Sequence, residues 1–386
     1  MKDALKISID IRTAGGEKAG KGWYTFNIVQ NLLKLDDKNQ YILYAKEGIP
    51  GFEHFKNAQI KLIKGGGILW HLKVARDVQK EKADIFFAPS SYIIPNFLQK
   101  YIKIVITVHD LVAFLFPNNH NKKATIIEKL LLKRAIKKAD SICTVSQNTK
   151  NDLLAKFPKL GAKKITVINC AASEDFKPIQ DPQQNLRTFI QKTNLPLNFF
   201  LAVGTLEPRK NYMNLIKAFK KVSDRFPDYY LIIVGKNGWN FEPTFQLIRE
   251  NYLNKKVHIL GYLSNKSLMN LYNLAKALVF PSFYEGFGLP PLEAMQCGCP
   301  VIASHTSSMP EVVGESHAYR QASALLINPN SPDQIAAAMI KLIKDPQLED
   351  QLKKKGFKQA KKFSWVSSAK KLLKIFDLAK KQTKMR

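Results

Sequence analysis

The chain has 386 residues, enough for two domains, with an ordinary 45% hydrophobic content and a formal net charge of +29. No apolar run approaches the roughly 18 residues of a membrane span, the first residues lack the apolar core of an export signal, and Cys143, Cys170, Cys297 and Cys299 form no CxxC pair. These features predict a reduced cytoplasmic protein without zinc. Lysine outnumbers arginine 51 to 9, and arginine is the planar base reader, which argues against nucleic acid as the reason for the charge. An anionic membrane surface and a general lysine enrichment remain.

Along the first half, short apolar runs alternate with amphipathic stretches. "LKISIDI", "QYILYA", "QIKLI", "DIFFAP", "IKIVITVHD", "SICTVS" and "KITVIN" read as strands, with helices predicted over 23–35, 126–138 and 147–156. A stretch over 169–198, broken by Pro178, Pro182 and Pro196, reads as a boundary. Then "FFLAVGT", "YYLIIVG", "KVHILG", "ALVFPS" and "PVIAS" read as strands, with helices over 211–226, 241–251 and 264–274. The remainder is helical, over 332–343, 347–363 and 367–381. Such alternation predicts α/β architecture in two doubly wound, Rossmann-like domains, residues 1–180 and 181–363. A basic helix over 364–386 should pack back on the first domain. Residues 351–386 hold 13 basic side chains against the single acid Asp377, so anionic lipid is the second reading of that tail.

In open α/β sheets ligands sit beyond the carboxyl ends of the strands. There this chain places His109, Gly204, Arg209 and Lys210, and the loop "EGFGLPPLE" from Glu285 to Glu293, so that ligand groups from both domains should surround one cleft. Gly286 and Gly288 allow close backbone approach, and Pro290 and Pro291 suit a helix start whose exposed N–H groups favour an anion. Glu293, within that helix, can accept two ribose hydroxyls. Arg209 and Lys210 could neutralise a departing diphosphate without metal; an exposed basic turn is the plainer reading. The loop "TAGGEKAGKGWY", with Gly20 and Gly22, could cradle a phosphate or an acceptor, though its spacing is not GxGxxG. DxD, GxxxxGK[ST], HExxH and GxSxG are all missing. Eight helical residues would set Glu285 and Glu293 about 12 Å apart, farther than the roughly 5 to 9.5 Å of glycoside hydrolase pairs.

Together, "EGFGLPPLE", "VGTLEPRKN", "VHD", "TVSQNTKNDL" and "ILGYLSNKSLMNLYNLAKALVFPS" resemble the retaining glycosyltransferases of family 4, in the bacterial branch that builds surface polysaccharides. The resemblance spans nearly the whole chain and implies the two-domain GT-B fold. It implies transfer of a hexose, with mannose favoured, from GDP-mannose or alternatively a UDP-sugar to a glycan or lipid-linked glycan, without a cofactor or metal. It implies that Glu293 binds ribose, that Glu285 and His109 lie near the transferred sugar, and that Arg209 and Lys210 hold the diphosphate. Backbone N–H groups from Phe287 to Leu289 should help them, with Gly204 beside the donor and Gly20 and Gly22 in a Gly-x-Gly loop. Trp23 stands where a basic residue is common, and "NCAASEDF" lacks the usual glycine after Asn169. A cytoplasmic location is expected, with association at the inner membrane face as a further reading. A sugar-nucleotide 2-epimerase and a non-catalytic nucleotide-sugar-binding protein are the alternatives.

Overall fold

The computed structural model describes residues 4–116, 122–179, 195–314 and 322–384, and every count below refers to them. They fall into two units, Met1–Cys170 with Ser364–Arg386, and Ala171–Phe363. The first unit holds seven parallel strands: β1 (Lys6–Asp10), β2 (Gln40–Ala45), β3 (Ala58–Leu62), β4 (Ile85–Ala88), β5 (Lys103–Val108), β6 (Ser141–Thr144) and β7 (Ile165–Val167). Their order is β3-β2-β1-β4-β5-β6-β7. Chain order therefore reverses between β1 and β4, where Ile7 pairs with Ile85. The helices are α1 (Gly20–Leu35), α2 (Gly67–Lys80), α3 (Val112–Leu115), α4 (Lys122–Lys138) and α5 (Gln147–Lys156). β4 and β5 are buried along their whole length because the sheet is covered on both faces, which explains unbroken runs such as "IFFA". Ser146 caps α5 by accepting from Thr149 N at 3.0 Å.

The second unit repeats the plan with six parallel strands in the order β10-β9-β8-β11-β12-β13. These are β8 (Phe199–Val203), β9 (Tyr230–Val234), β10 (Val257–Ile259), β11 (Ala277–Phe280), β12 (Val301–Ser304) and β13 (Leu325–Ile327). Here the reversal falls between β8 and β11, where Ala277 pairs with Phe200. The helices are α6 (Tyr212–Arg225), α7 (Glu242–Glu250), α8 (Asn265–Leu274), α9 (Leu289–Gln296), α10 (Met309–Val313), α11 (Pro332–Lys344) and α12 (Pro346–Ala360). The buried side of α6 carries Tyr212, Leu215, Ile216, Phe219 and Val222, the three-and-four spacing of an amphipathic helix. These side chains join Phe200, Leu231 and Val279 of the sheet in one core.

Three expectations need correction. The domain break at 180 moves to 170, because residues 171–179 are tied to the second unit. Phe176 packs edge-on against Tyr272 with ring centroids 5.7 Å apart, and Ile179 N donates to Asn273 Oδ1 at 3.0 Å. Much of the expected linker, residues 180–194, lies outside the described residues. Helix α1 starts at Gly20 rather than at 23, so Gly20 and Gly22 form its first turn instead of a loop. Gly22 is required there, since a Cβ would stand 2.6 Å from Thr13 O, whereas a Cβ on Gly20 would meet open space. Helix α2 is an addition to the predicted helices of the first half, which were 23–35, 126–138 and 147–156. The last helix, α13 (Trp365–Lys384), belongs to the first unit. Its buried stripe of Trp365, Ala369, Leu372 and Phe376 meets Tyr24 and Phe87, and Ser368 Oγ donates to Asn169 O at 2.6 Å.

Candidate active site

In the second unit the loops leaving β8 and β11 are neighbours, because those strands pair at the reversal of strand order. Beyond β8 the chain passes Gly204 and makes one tight helical turn over Pro208–Lys210. Asn211 then adopts a left-handed conformation with φ 63°, which asparagine tolerates better than most residues. Its buried side chain donates to Pro281 O at 2.9 Å and to Pro329 O at 2.7 Å, so one residue fastens the β8 loop to two others. Tyr212 Oη donates to Gly204 O at 2.6 Å. Phe283 N donates to Arg209 O at 2.9 Å, which registers the β11 loop against the basic turn.

That registration brings three predicted residues together. Glu285 Oε1 accepts from Lys210 Nζ at 2.6 Å, and Glu285 Oε2 stands 2.8 Å from Arg209 Nη1. Arg209 also donates to Tyr284 O and to Glu207 Oε1, each at 2.6 Å. Burial by itself pushes the Glu285 carboxyl up, but the Arg209 and Lys210 charges more than offset this and hold it at about 2. Burial pulls the Lys210 ammonium below the usual lysine range, with Glu285 opposing the shift. Glu285 is therefore a buried carboxylate at neutral pH. The basic turn is not the exposed patch that its sequence alone allows. The loop is held from behind by Ser307, whose Oγ accepts from Glu285 N at 3.0 Å, and by Ser308, whose Oγ donates to Glu285 O and Phe287 O.

Gly286, Phe287 and Gly288 lead into α9, whose first residue is Leu289. Gly288 has φ +98°, a conformation strained for any L side chain, and a Cβ there would come within 2.2 Å of Met309 Cε, so the methionine tip would have to move. No side chain caps the start of α9, and Pro290 and Pro291 occupy its first turn. Amide hydrogens at such a start have no partner within the helix and point outward. Glu293, on the same helix, is partly buried, and burial raises its carboxyl to about 7 despite a 3.0 Å hydrogen bond donated by Tyr272 Oη. The two glutamates thus sit in opposite environments, one pinned ionised by cations and one held near neutrality by desolvation.

The remaining predicted residues lie in the first unit. His109 follows β5 and is buried, with Nε2 2.7 Å from Pro89 O and its ring edge-on to Tyr24. Burial, then the Lys21 charge, lower the imidazole to about 4, so it is neutral at physiological pH. Gly20 and Gly22 open α1 beyond the end of β1. Glu207, Asn211, Tyr212, Tyr272, Ser307 and Ser308 escaped the sequence reading. Glu207 and Asn211 lie within the quoted stretch "VGTLEPRKN" and Tyr272 within "ILGYLSNKSLMNLYNLAKALVFPS", whereas Tyr212, Ser307 and Ser308 lie in no stretch that was singled out.

Two doubly wound parallel-sheet units, with ionised groups gathered at the strand reversal of the second, define the GT-B class of α/β proteins. The Anabaena protein HepE, solved in complex with UDP and glucose, shares the fold with a TM-score of 0.77, over 97% of this chain and 99% of that one, at 17% identity. Residues 20–176 match the model described as Glycosyltransferase Family 4, and residues 185–359 match Glycosyl transferases group 1. O-antigen chain mannosyltransferase B of Escherichia coli is 32% identical over 326 residues, 84% of this chain and 82% of that protein. The serotype-specific mannosyltransferase WbdA of Escherichia coli is 31% identical over 69% of this chain, which spans about a third of that longer relative. The chain belongs to glycosyltransferase family 4, and it is a glycosyltransferase.

Proposed function

We propose that the protein transfers mannose from GDP-mannose to a glycan or lipid-linked glycan acceptor in surface polysaccharide synthesis, with retention of anomeric configuration. The observation that carries the site assignment is the Arg209–Lys210–Glu285 cluster at the strand reversal of the second unit. Support for the sugar comes from the O-antigen mannosyltransferase relatives. In this reading Arg209 and Lys210 receive the donor diphosphate, assisted by amides from Phe287 to Leu289, next to the permissive backbone of Gly204. Breaking the sugar–phosphate bond places negative charge on the leaving diphosphate, and preorganised cations and N–H dipoles stabilise it without a resident metal. Glu285 serves the sugar hydroxyls while setting the two cations. Glu293 receives the ribose hydroxyls, for which its carboxylate form is required. Neutral His109 is assigned to turnover of the sugar, and Gly20 and Gly22 to the acceptor side.

A panel of GDP- and UDP-sugars, scored for nucleotide release with and without a glycan acceptor, tests this reading. Slow release from GDP-mannose that rises with acceptor is expected. Release of a free epimerised nucleotide sugar would support a 2-epimerase instead, and tight binding of every donor without turnover would support a non-catalytic protein.

A further inference from the structure

Strand β12 pairs with β11, with Val279 opposite Ile302 and Phe280 opposite Ala303, so the loop leaving β12 runs beside the loop that carries Glu285. The β12 loop holds three consecutive hydroxyl residues, Thr306, Ser307 and Ser308. Their side chains serve alternate residues of the β11 loop. Thr306 Oγ1 donates to Phe283 O at 3.0 Å, and Ser307 Oγ accepts from Glu285 N at 3.0 Å. Ser308 Oγ donates to Glu285 O at 3.0 Å and to Phe287 O at 2.8 Å. The backbone of Glu285 is thus held at its N–H and at its C=O, while its carboxylate is held by Arg209 and Lys210. His305 anchors the β12 loop in turn, its N donating to Ile327 O at 2.9 Å.

Ser307 is also strained. Among the described residues, five other than glycine have positive φ: Lys82, Asn211, Asn240, Tyr252 and Ser307. Lys82, Asn240 and Tyr252 are exposed. Asn211 and Ser307, at φ 63° and 55°, both border the cluster of Arg209, Lys210 and Glu285. Asparagine tolerates the left-handed backbone, serine less well, and glycine adopts it freely. A glycine at 307 would be at ease, but it would leave Glu285 N without the hydroxyl. We propose that Ser307 is a positioning residue for transfer: its hydroxyl sets the Glu285 backbone, and through it the carboxylate against the two cations, and the strained serine is kept for that contact. Strain retained at a working site is the expected pattern, and a misplacement of about 1 Å there costs about 100-fold in rate. The positioning of Glu285 stands on the geometry, whereas its effect on turnover rests on the transferase reading.

The test compares Ser307→Gly, Ser307→Ala and Ser307→Thr in the full chain. Glycine relieves the backbone and removes the hydroxyl. Alanine keeps the strain and removes the hydroxyl. Threonine keeps the hydroxyl and, being β-branched, worsens the strain. GDP-mannose turnover should fall at least about tenfold in both the glycine and the alanine variant, and stay within about threefold of native in the threonine variant. GDP affinity by calorimetry should stay within about threefold throughout, so that the loss lies in kcat. Hydrogen exchange of the Glu285 amide, followed by NMR, should accelerate at least about tenfold in the glycine and alanine variants. A serine that merely occupied a tight turn would give a different order, with glycine as active as native and alanine worse, and that order would overturn the proposal. So would unchanged exchange at Glu285 in Ser307→Gly, or a loss of GDP affinity as large as the loss of turnover. Exchange at Glu285 as expected, in a native protein that turns over no nucleotide sugar, would keep the positioning and sink the transferase reading.

Discussion

Glu285→Gln is the most informative single change. The native carboxylate is almost fully buried, accepts from Lys210 at 2.6 Å and faces Arg209 at 2.8 Å. The glutamine keeps the shape and removes the charge, so that Lys210 and Arg209 lose the carboxylate between them while Arg209 keeps its ion pair with Glu207. The shift from the ordinary 4.5 to about 2 corresponds to about 3 kcal/mol of stabilisation of the folded state. The cost of removing one partner from a buried pair, about 3–5 kcal/mol, agrees. For a unit of this size the expected fall in Tm is about 6–12 °C at neutral pH. The sign with pH follows from linkage. The folded-state value lies below the unfolded one, so the contribution is complete above about 4.5 and drains away as pH falls toward about 2. Urea denaturation of both proteins across that range should show the gap closing on the acid side. Turnover should fall at least about 100-fold, with nucleotide affinity held within a few fold. Equal stability of the two proteins at neutral pH, or a gap that does not narrow on acidification, would refute the electrostatic account.

Other outcomes follow from the same geometry. Lys210→Ala should raise the barrier to transfer by about 3 kcal/mol, a drop of about 100-fold in turnover. Native activity should survive EDTA, and loss restored by manganese would overturn the metal-free mechanism. Glu293 must shed a proton whose affinity burial has raised to about 7, so GDP affinity by calorimetry should rise from pH 6 to 8; a flat profile argues against the ribose role. Because that folded value lies above the unfolded one, Glu293 destabilises the fold increasingly as pH climbs from about 4.5 to about 7. Glu293→Gln should therefore raise Tm at pH 8 and leave it nearly unchanged at pH 4. Gly288→Ala should destabilise by at least about 2 kcal/mol, since positive φ and contact with Met309 act together, and a Tm equal to native would contradict the geometry at α9.

Most of the architecture was legible in the residues, since parallel strands covered on both faces must be short continuous apolar runs and their helices amphipathic. Helix α5 occupies the 147–156 predicted for it, α6 and α7 are shorter than predicted by one residue at each end, and α8 by one residue at its start. Helix α2 was hidden because Gly65, Gly66 and Gly67 signal a turn, while its buried Trp70, His71 and Val74 declare themselves only against a sheet. Strand β13 was not among the predicted strands. The loops "GTLEPRKN" and "EGFGLPPLE" announced a charged site because charges and glycines at strand ends have few structural uses. The sequence alone could not say that Arg209, Lys210 and Glu285 meet. They are 75 residues apart along the chain, and only the pairing of β8 with β11 makes their loops adjacent. Nor could spacing show that one glutamate is held near 2 and the other near 7, because a pKa reports desolvation and neighbouring charge, and both arise only when the chain has packed. The same holds for the basic residues: composition counts them, but burial decides that the apolar stripe of α13 is spent inside the first unit while Ile126, Ile127 and Leu130 of α4 face outward.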